Sequence, residues 1–195
     1  MDTLQPDDAT LIQQCRAGDA RAFDQLVLRY QDQAFAVALR MLGDYDEATD
    51  VAQEAFVRAY QGVASFRSEA KFSTWLLTIV TNLCRNRRRW WAKRKQYVVA
   101  SLDEPVDTEE GEISRDAADP AADPREEAQA GELRGHLLAA LRLLDEAARE
   151  IVVLRDVQGL SYEDIAQIMQ CEVGTVKSRL NRARLRLRAL LDGKL

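Results

Sequence analysis

The chain has 195 residues, 47% of them hydrophobic and 30% charged, with nine glycines and four prolines, which suits one or two packed helical domains. No apolar run reaches the roughly 18 residues of a membrane span, and the acidic start MDTLQPDDATLIQQC lacks the basic and apolar segments of a secretory signal, so a cytoplasmic protein is expected. Cys15, Cys84 and Cys171 lie far apart and His136 is the sole histidine, which argues against a disulfide framework or a zinc site.

The net charge of −5 hides three blocks. Seven basic residues and no acidic one lie between Arg85 and Lys95, and eleven acidic residues lie between Asp103 and Glu127. From Val173 to the end, seven basic residues stand against Asp192. Such asymmetry points to a nucleic-acid partner.

In chain order, a first helix is predicted over about 7–17, stopping at Gly18. A second runs from Asp19 to Gly43, with Phe23, Leu26, Val27, Tyr30, Ala34, Val37, Ala38 and Met41 facing inward. A third starts at Asp44, with Glu47 three residues on. Its apolar stripe, Ala48, Val51, Ala52, Ala55, Phe56 and Ala59, follows the 3.6-residue period. Asp50, Gln53 and Glu54 share another face of that helix, and Arg58 is one turn further; spacing alone reads this as a solvated face. A fourth helix follows FRSEA and continues to about Gln96, burying Phe72, Trp75, Leu76, Ile79 and Leu83.

Asn82 and Asn86 lie on one face of the fourth helix. Arg85, Arg87, Arg88, Arg89, Lys93, Arg94 and Lys95 accompany them, with Trp90 and Trp91 interleaved. Cations, amides and flat rings suit single-stranded nucleic acid, where charge tracks the backbone and rings stack on bases. The plainer alternative is a basic helix end that complements its own dipole.

The acidic segment, rich in Asp, Glu, Ala and Pro, has too few large apolar residues to offset its ordering entropy. The fold class is therefore all-α: a four-helix domain over 1–95, a flexible acidic linker over 96–130, and a smaller helical domain over 131–195. In the latter, Leu133, Leu137, Leu141 and Leu144 form one stripe, and Ile151, Val152 and Leu154 begin another that stops near Gly159. Ser161 with Asp164 three residues on forms a capping box, and Ile165, Ala166, Ile168 and Met169 fill the next short helix. After the brief QCEVG comes a basic helix with the stripe Val173, Val176, Leu180, Ala183 and Leu187. Short helix, tight turn and basic helix make a helix-turn-helix. Its polar face carries Lys177, Ser178, Asn181 and Arg182, suited to base edges in the major groove, and Arg179, Arg184 and Arg186, suited to phosphates.

The segments DEATDVAQEAFVRAY, FRSEAKFSTWLLTIVTNLCRN and LRDVQGLSYEDIAQIMQCEVGTVKSRLNRAR, in this order around an acidic linker, resemble bacterial sigma factors of the extracytoplasmic-function group, most of all the proteobacterial envelope-stress members. The resemblance implies a cytoplasmic subunit that binds core RNA polymerase and directs promoter recognition, DNA melting and initiation, with no enzymatic activity and no cofactor. It implies that Asp50, Gln53 and Glu54 dock on the β′ clamp helices, with further contact to the β subunit. Phe66, Arg67, Asn82, Asn86 and Arg89 would meet the opened minus-ten element, Asn82 lining the pocket of a flipped base. Lys177, Ser178, Arg179, Asn181, Arg182 and Arg184 would meet the minus-thirty-five duplex. Asn181 and Leu77 stand where relatives often carry other residues, Leu77 at a place where some have a tyrosine near the base pocket. Members are usually held inactive by an anti-sigma protein, often membrane-anchored. Two other readings are a self-contained repressor or activator, which would bind DNA without polymerase, and a nuclease, which would need a metal cluster or an activated nucleophile.

Overall fold

A computed structural model describes residues 6–66, 70–101 and 124–192, with side chains left out of the description at 95–101, 124–130 and 132–134. Eight α-helices make up the described part: α1 Asp8–Arg16, α2 Ala20–Leu42, α3 Tyr45–Gly62, α4 Phe72–Ser101, α5 Pro124–Leu143, α6 Glu146–Val152, α7 Tyr162–Met169 and α8 Val173–Leu191. A 3₁₀ turn, Val63–Ser65, follows α3, and one π turn, Val153–Val157, continues α6.

Short polar side chains start the helices by accepting from free backbone N–H groups of the first turn. Asp7 accepts from Thr10 at 2.8 Å, Asp19 from Arg21 at 2.9 Å, Asp44 from Glu47 at 2.9 Å and Asp145 from Ala148 at 2.9 Å. Gly43, at φ 75°, ends α2 in the left-handed conformation that a side chain resists.

The expected apolar stripes of α2 and α3 face one another across the N-terminal core. Ala48, Val51, Ala52, Ala55, Phe56 and Ala59 are all buried, as are Phe23, Leu26, Ala34, Val37, Ala38 and Met41. Helix α4 differs from expectation. Besides Phe72, Leu76 and Leu83, it buries Thr74, Leu77, Val80, Thr81 and Cys84, so it is covered on two sides. The N-terminal helices cover one side and the C-terminal domain covers the other. Leu77, expected near a base pocket, is fully buried.

The helices also encroach on both ends of the expected 96–130 linker. Helix α4 reaches Ser101 and α5 begins at Pro124. Neither Gly nor Pro interrupts QYVVAS, while PREEAQAGELR opens on a proline, which suits a first helical position, and continues, Gly131 apart, with strong helix formers.

The C-terminal domain packs α5, α6, α7 and α8 around Leu141, Leu144, Ile151, Val152, Leu154, Ile165, Ile168, Val176, Leu180 and Ala183. The π turn widens the backbone to i→i+5 spacing, with Gln158 N–H donating to the Val153 carbonyl at 3.0 Å. Gln170, at φ 52°, forms the left-handed corner between α7 and α8. The two domains share one continuous apolar core.

Candidate nucleic-acid interface

The helix-turn-helix is fixed from its cap outward. The Asp164 N–H donates to Ser161 Oγ at 3.0 Å, and the Ser161 hydroxyl donates to the Asp164 carboxylate at 2.6 Å. Ile165 and Ile168 anchor α7 in the core, and Val176, Leu180 and Ala183 anchor α8. That burial fixes the rotation of α8, leaving Lys177, Ser178, Arg179, Asn181, Arg182 and Arg184 exposed on the outer side. Tyr162 lies between two cations, Arg155 at 4.7 Å and Lys177 at 5.5 Å from its ring centroid, an arrangement that restrains Lys177 before any ligand arrives. Arg184 is already paired: its guanidinium donates to both oxygens of Asp156, through Nε at 3.0 Å. That hydrogen bond holds the Arg184 pKa above its ordinary value. Arg186 pairs with Asp145 at 2.5 Å.

On α3, Asp50 and Gln53 are exposed, and Glu54 accepts from Arg58 at 2.6 Å, one turn along. These residues lie together on the outer face of the N-terminal domain, opposite its buried stripe.

On α4, Asn82, Asn86 and Arg89 are exposed, and Trp90 is half-exposed with Arg94 over its ring at 5.2 Å. The basic run, however, is not a uniform strand-binding surface. Arg87 pairs with Glu47 of α3 at 2.6 Å. Arg85 forks onto Glu150 of α6, with Nε at 3.0 Å and Nη2 at 2.5 Å, and its Nη1 donates to Asn82 Oδ1 at 2.8 Å. Trp91 packs against the core. Phe66 is buried, its ring 4.8 Å from that of Trp75 and 6.2 Å from that of Phe72, and its carbonyl accepts from Arg16. Arg67 lies outside the described residues.

Sequence reasoning missed the interdomain role of three charged residues, although it had placed Asp164 in the cap of α7. Glu150, 2% exposed, has its pKa raised by burial, an effect that Arg85 partly offsets. Arg149, 3% exposed, donates to the carbonyls of Leu141, Arg142 and Leu144 in its own domain, and to that of Met41 in the other. Burial lowers its pKa to about 10. Asp164 accepts from Thr74 Oγ1 at 2.9 Å and faces Lys71 at 3.7 Å. Burial opposes its charge, but Ser161, Thr74 and Lys71 outweigh that and hold its pKa below the usual carboxylate value. The available signal was an adjacent Arg–Glu pair inside the apolar run AAREIVVL, where a solvated surface would not place it.

Two family models match the chain: sigma-70 region 2 over residues 26–94 and sigma-70 region 4 over residues 134–187. The RNA polymerase sigma-H factor of Pseudomonas aeruginosa is 39% identical over 184 residues, covering 92% of this chain and 91% of that protein. The extracytoplasmic-function sigma-E factor of Escherichia coli K12 is 38% identical over 183 residues, covering 91% and 90%. Among solved structures, CnrH in complex with the cytosolic domain of CnrY matches at a TM-score of 0.69 and 29% identity, over 96% of this chain and 99% of that one. The sigma factor RpoE of Bartonella quintana, bound to the anti-sigma factor NepR, matches at 0.68 and 28% identity, over 90% and 100%. With these two regions in this order, and with relatives of this identity along nearly its whole length, the chain belongs to the extracytoplasmic-function sigma factors of the sigma-70 family, initiation factors of bacterial RNA polymerase.

Proposed function

We propose that the chain works by a division of labour between its domains. The C-terminal domain lays α8 in the major groove of the minus-thirty-five duplex. Lys177, Ser178, Asn181 and Arg182 meet base edges there, and Arg179 and Arg184 meet phosphates. The N-terminal domain takes the melted minus-ten strand with Arg67, Asn82, Asn86 and Arg89, and with Phe66 once its ring is uncovered. Holding unstacked bases, it favours the open promoter over the closed one by binding one state better. Asp50, Gln53 and Glu54 supply an acidic and amide patch for the β′ clamp helices, and the C-terminal domain reaches the β subunit. The chain performs no chemistry of its own and works in the cytoplasm. Its control falls to an anti-sigma protein, often membrane-anchored in this family; the solved relatives CnrH and RpoE are each bound to a partner, the latter to an anti-sigma factor.

The observation that carries this reading is the exposed cationic face of α8 behind a helix-turn-helix corner, on a chain collinear with sigma factors. Run-off transcription with core polymerase on a promoter library tests it. Native chain is expected to give discrete start sites, whereas Asp50→Lys should abolish them while leaving the melting temperature unchanged. A self-contained repressor would instead shift operator DNA in a gel without core enzyme.

A further inference from the structure

We propose that Trp90 is a stacking platform for a second unpaired base of the promoter, a few nucleotides along the melted strand from the one that Asn82 receives. This deepens the function proposed above and rests on it. Of the two adjacent tryptophans on α4 the core takes one. Trp91 packs against it, and the step of about 100° between neighbours on a helix turns Trp90 outward, 51% exposed. A ring left half in water forgoes the burial that would stabilise it. Arg94 lies over that ring, 5.2 Å from its centroid, and restrains it before any ligand arrives.

Trp90 does not stand alone. Asn82, Asn86, Arg89, Trp90 and Lys93 fall at i, i+4, i+7, i+8 and i+11, and all are exposed, so they form one stripe along α4. Within the basic run the charges divide. Arg85 and Arg87 are taken by Glu150 and Glu47, whereas among the described residues Arg89 and Lys93 have no carboxylate in ion-pair reach. Complementing the helix dipole does not account for these cations. That effect fades beyond the last turn, and α4 runs on to Ser101 with no basic residue in its last turn.

The spacing suits a strand. Asn82 and Trp90 are separated by about 12 Å along the helix axis. A strand stacked at about 3.4 Å per nucleotide crosses that in roughly three or four nucleotides, and a stretched one in fewer. Arg89 and Lys93 would follow the phosphates between, while the ring accepts any base, because every base has a π face. A base inside a duplex is already stacked on its neighbours and cannot use the ring. Trp90 therefore adds affinity for the open promoter only, and does so without adding sequence preference.

The test uses the full chain bound to core polymerase, on a promoter opened in the run-off assay and carrying a preformed bubble over its minus-ten element. Binding then reads strand contacts and not the cost of melting. Trp90→Leu keeps apolar volume without a π face, and Trp90→Phe keeps a ring. Trp90→Leu is expected to bind the bubble roughly 5- to 150-fold more weakly than native, and Trp90→Phe to recover most of that loss. Abasic sites placed singly along the non-template strand then locate the contact. At one position the abasic site should weaken the native complex by a similar factor and leave Trp90→Leu unaffected, a coupling that a merely structural role does not produce. Equal affinity of Trp90→Leu and native overturns the proposal. So does a loss that couples to no position, which would make Trp90 a contact of phosphate or of polymerase.

A second arm does not depend on how the variants fold. Iodouracil is placed at each non-template position of the bubble in turn and irradiated with the native chain and core polymerase. Cross-linking to Trp90, read by mass spectrometry, is expected at the position that the abasic scan picks out; cross-links only to other residues overturn the proposal. The two levels of failure are separable. A native chain that starts transcription and whose Trp90→Leu variant matches it on the bubble loses the stacking site alone. A native chain that starts none removes the sigma-factor reading, and the stacking site with it.

Discussion

Arg149→Met is the most informative single test of how the two domains are held. Arg149 is almost fully buried and serves four carbonyls: those of Leu141, Arg142 and Leu144 at the end of α5, and that of Met41 at the end of α2. Carbonyls at a helix end have no partner inside the helix, so one guanidinium caps two helices from different domains. Methionine fills similar volume with no donor. It removes the cost of desolvating a cation but leaves four buried acceptors unsatisfied, each at about 1–3 kcal/mol, so a net loss of roughly 3–5 kcal/mol is expected once the relief of desolvation is set against them. For a chain of this size each kcal/mol shifts the melting temperature by about 2–4 °C, so a fall of roughly 6–20 °C is expected by calorimetry. Arg149→Lys keeps the charge but loses the planar fork, and should fall between native and Arg149→Met. If Arg149→Met melts within about 2 °C of native, less than the shift expected for 1 kcal/mol, the capping account is wrong.

Gln170 adopts φ 52° while exposed, so Gln170→Gly should relieve roughly 1 kcal/mol of left-handed strain and raise the melting temperature by about 2–4 °C; no change would count against strain at that corner. On α8, Arg182→Ala should cost about 1–3 kcal/mol of duplex binding and relax preference at one base pair, whereas Arg179→Ala should weaken all sequences alike and lower the salt slope by about 1; anisotropy titrations over a salt series separate them. Asp164 has its pKa held below 3.8, so its contribution to stability is present above that value and is lost as pH falls through the lowered one. Glu150 is opposite in sign: its raised pKa makes its contribution greatest below 4.5 and lost as pH rises. Urea midpoints should therefore fall less steeply below pH 3.8 in Asp164→Asn than in the native chain, and equal slopes would remove Asp164 from that role.

The helices, their caps and the two faces of α8 are legible in the sequence because they are local properties. Apolar spacing at a 3.6-residue period fixes which side of α2, α3 and α8 is buried, and Asp44, Asp145 and Ser161 start helices within three residues of themselves. The family is legible for a related reason: its motifs are runs of contiguous residues. The partnering of charges is not. Arg85 and Glu150 are 65 positions apart, Thr74 and Asp164 are 90, and Arg149 and Met41 are 108. No periodicity couples such pairs, so a run of seven basic residues reads as one surface until the tertiary structure assigns Arg85 to α6 and Arg87 to α3. Composition determined how much charge this protein carries and on which segments. Only tertiary packing, within each domain and between the two, decided which of those charges face solvent and which face each other, because burial and Coulombic attraction depend on distance in space rather than on order along the chain.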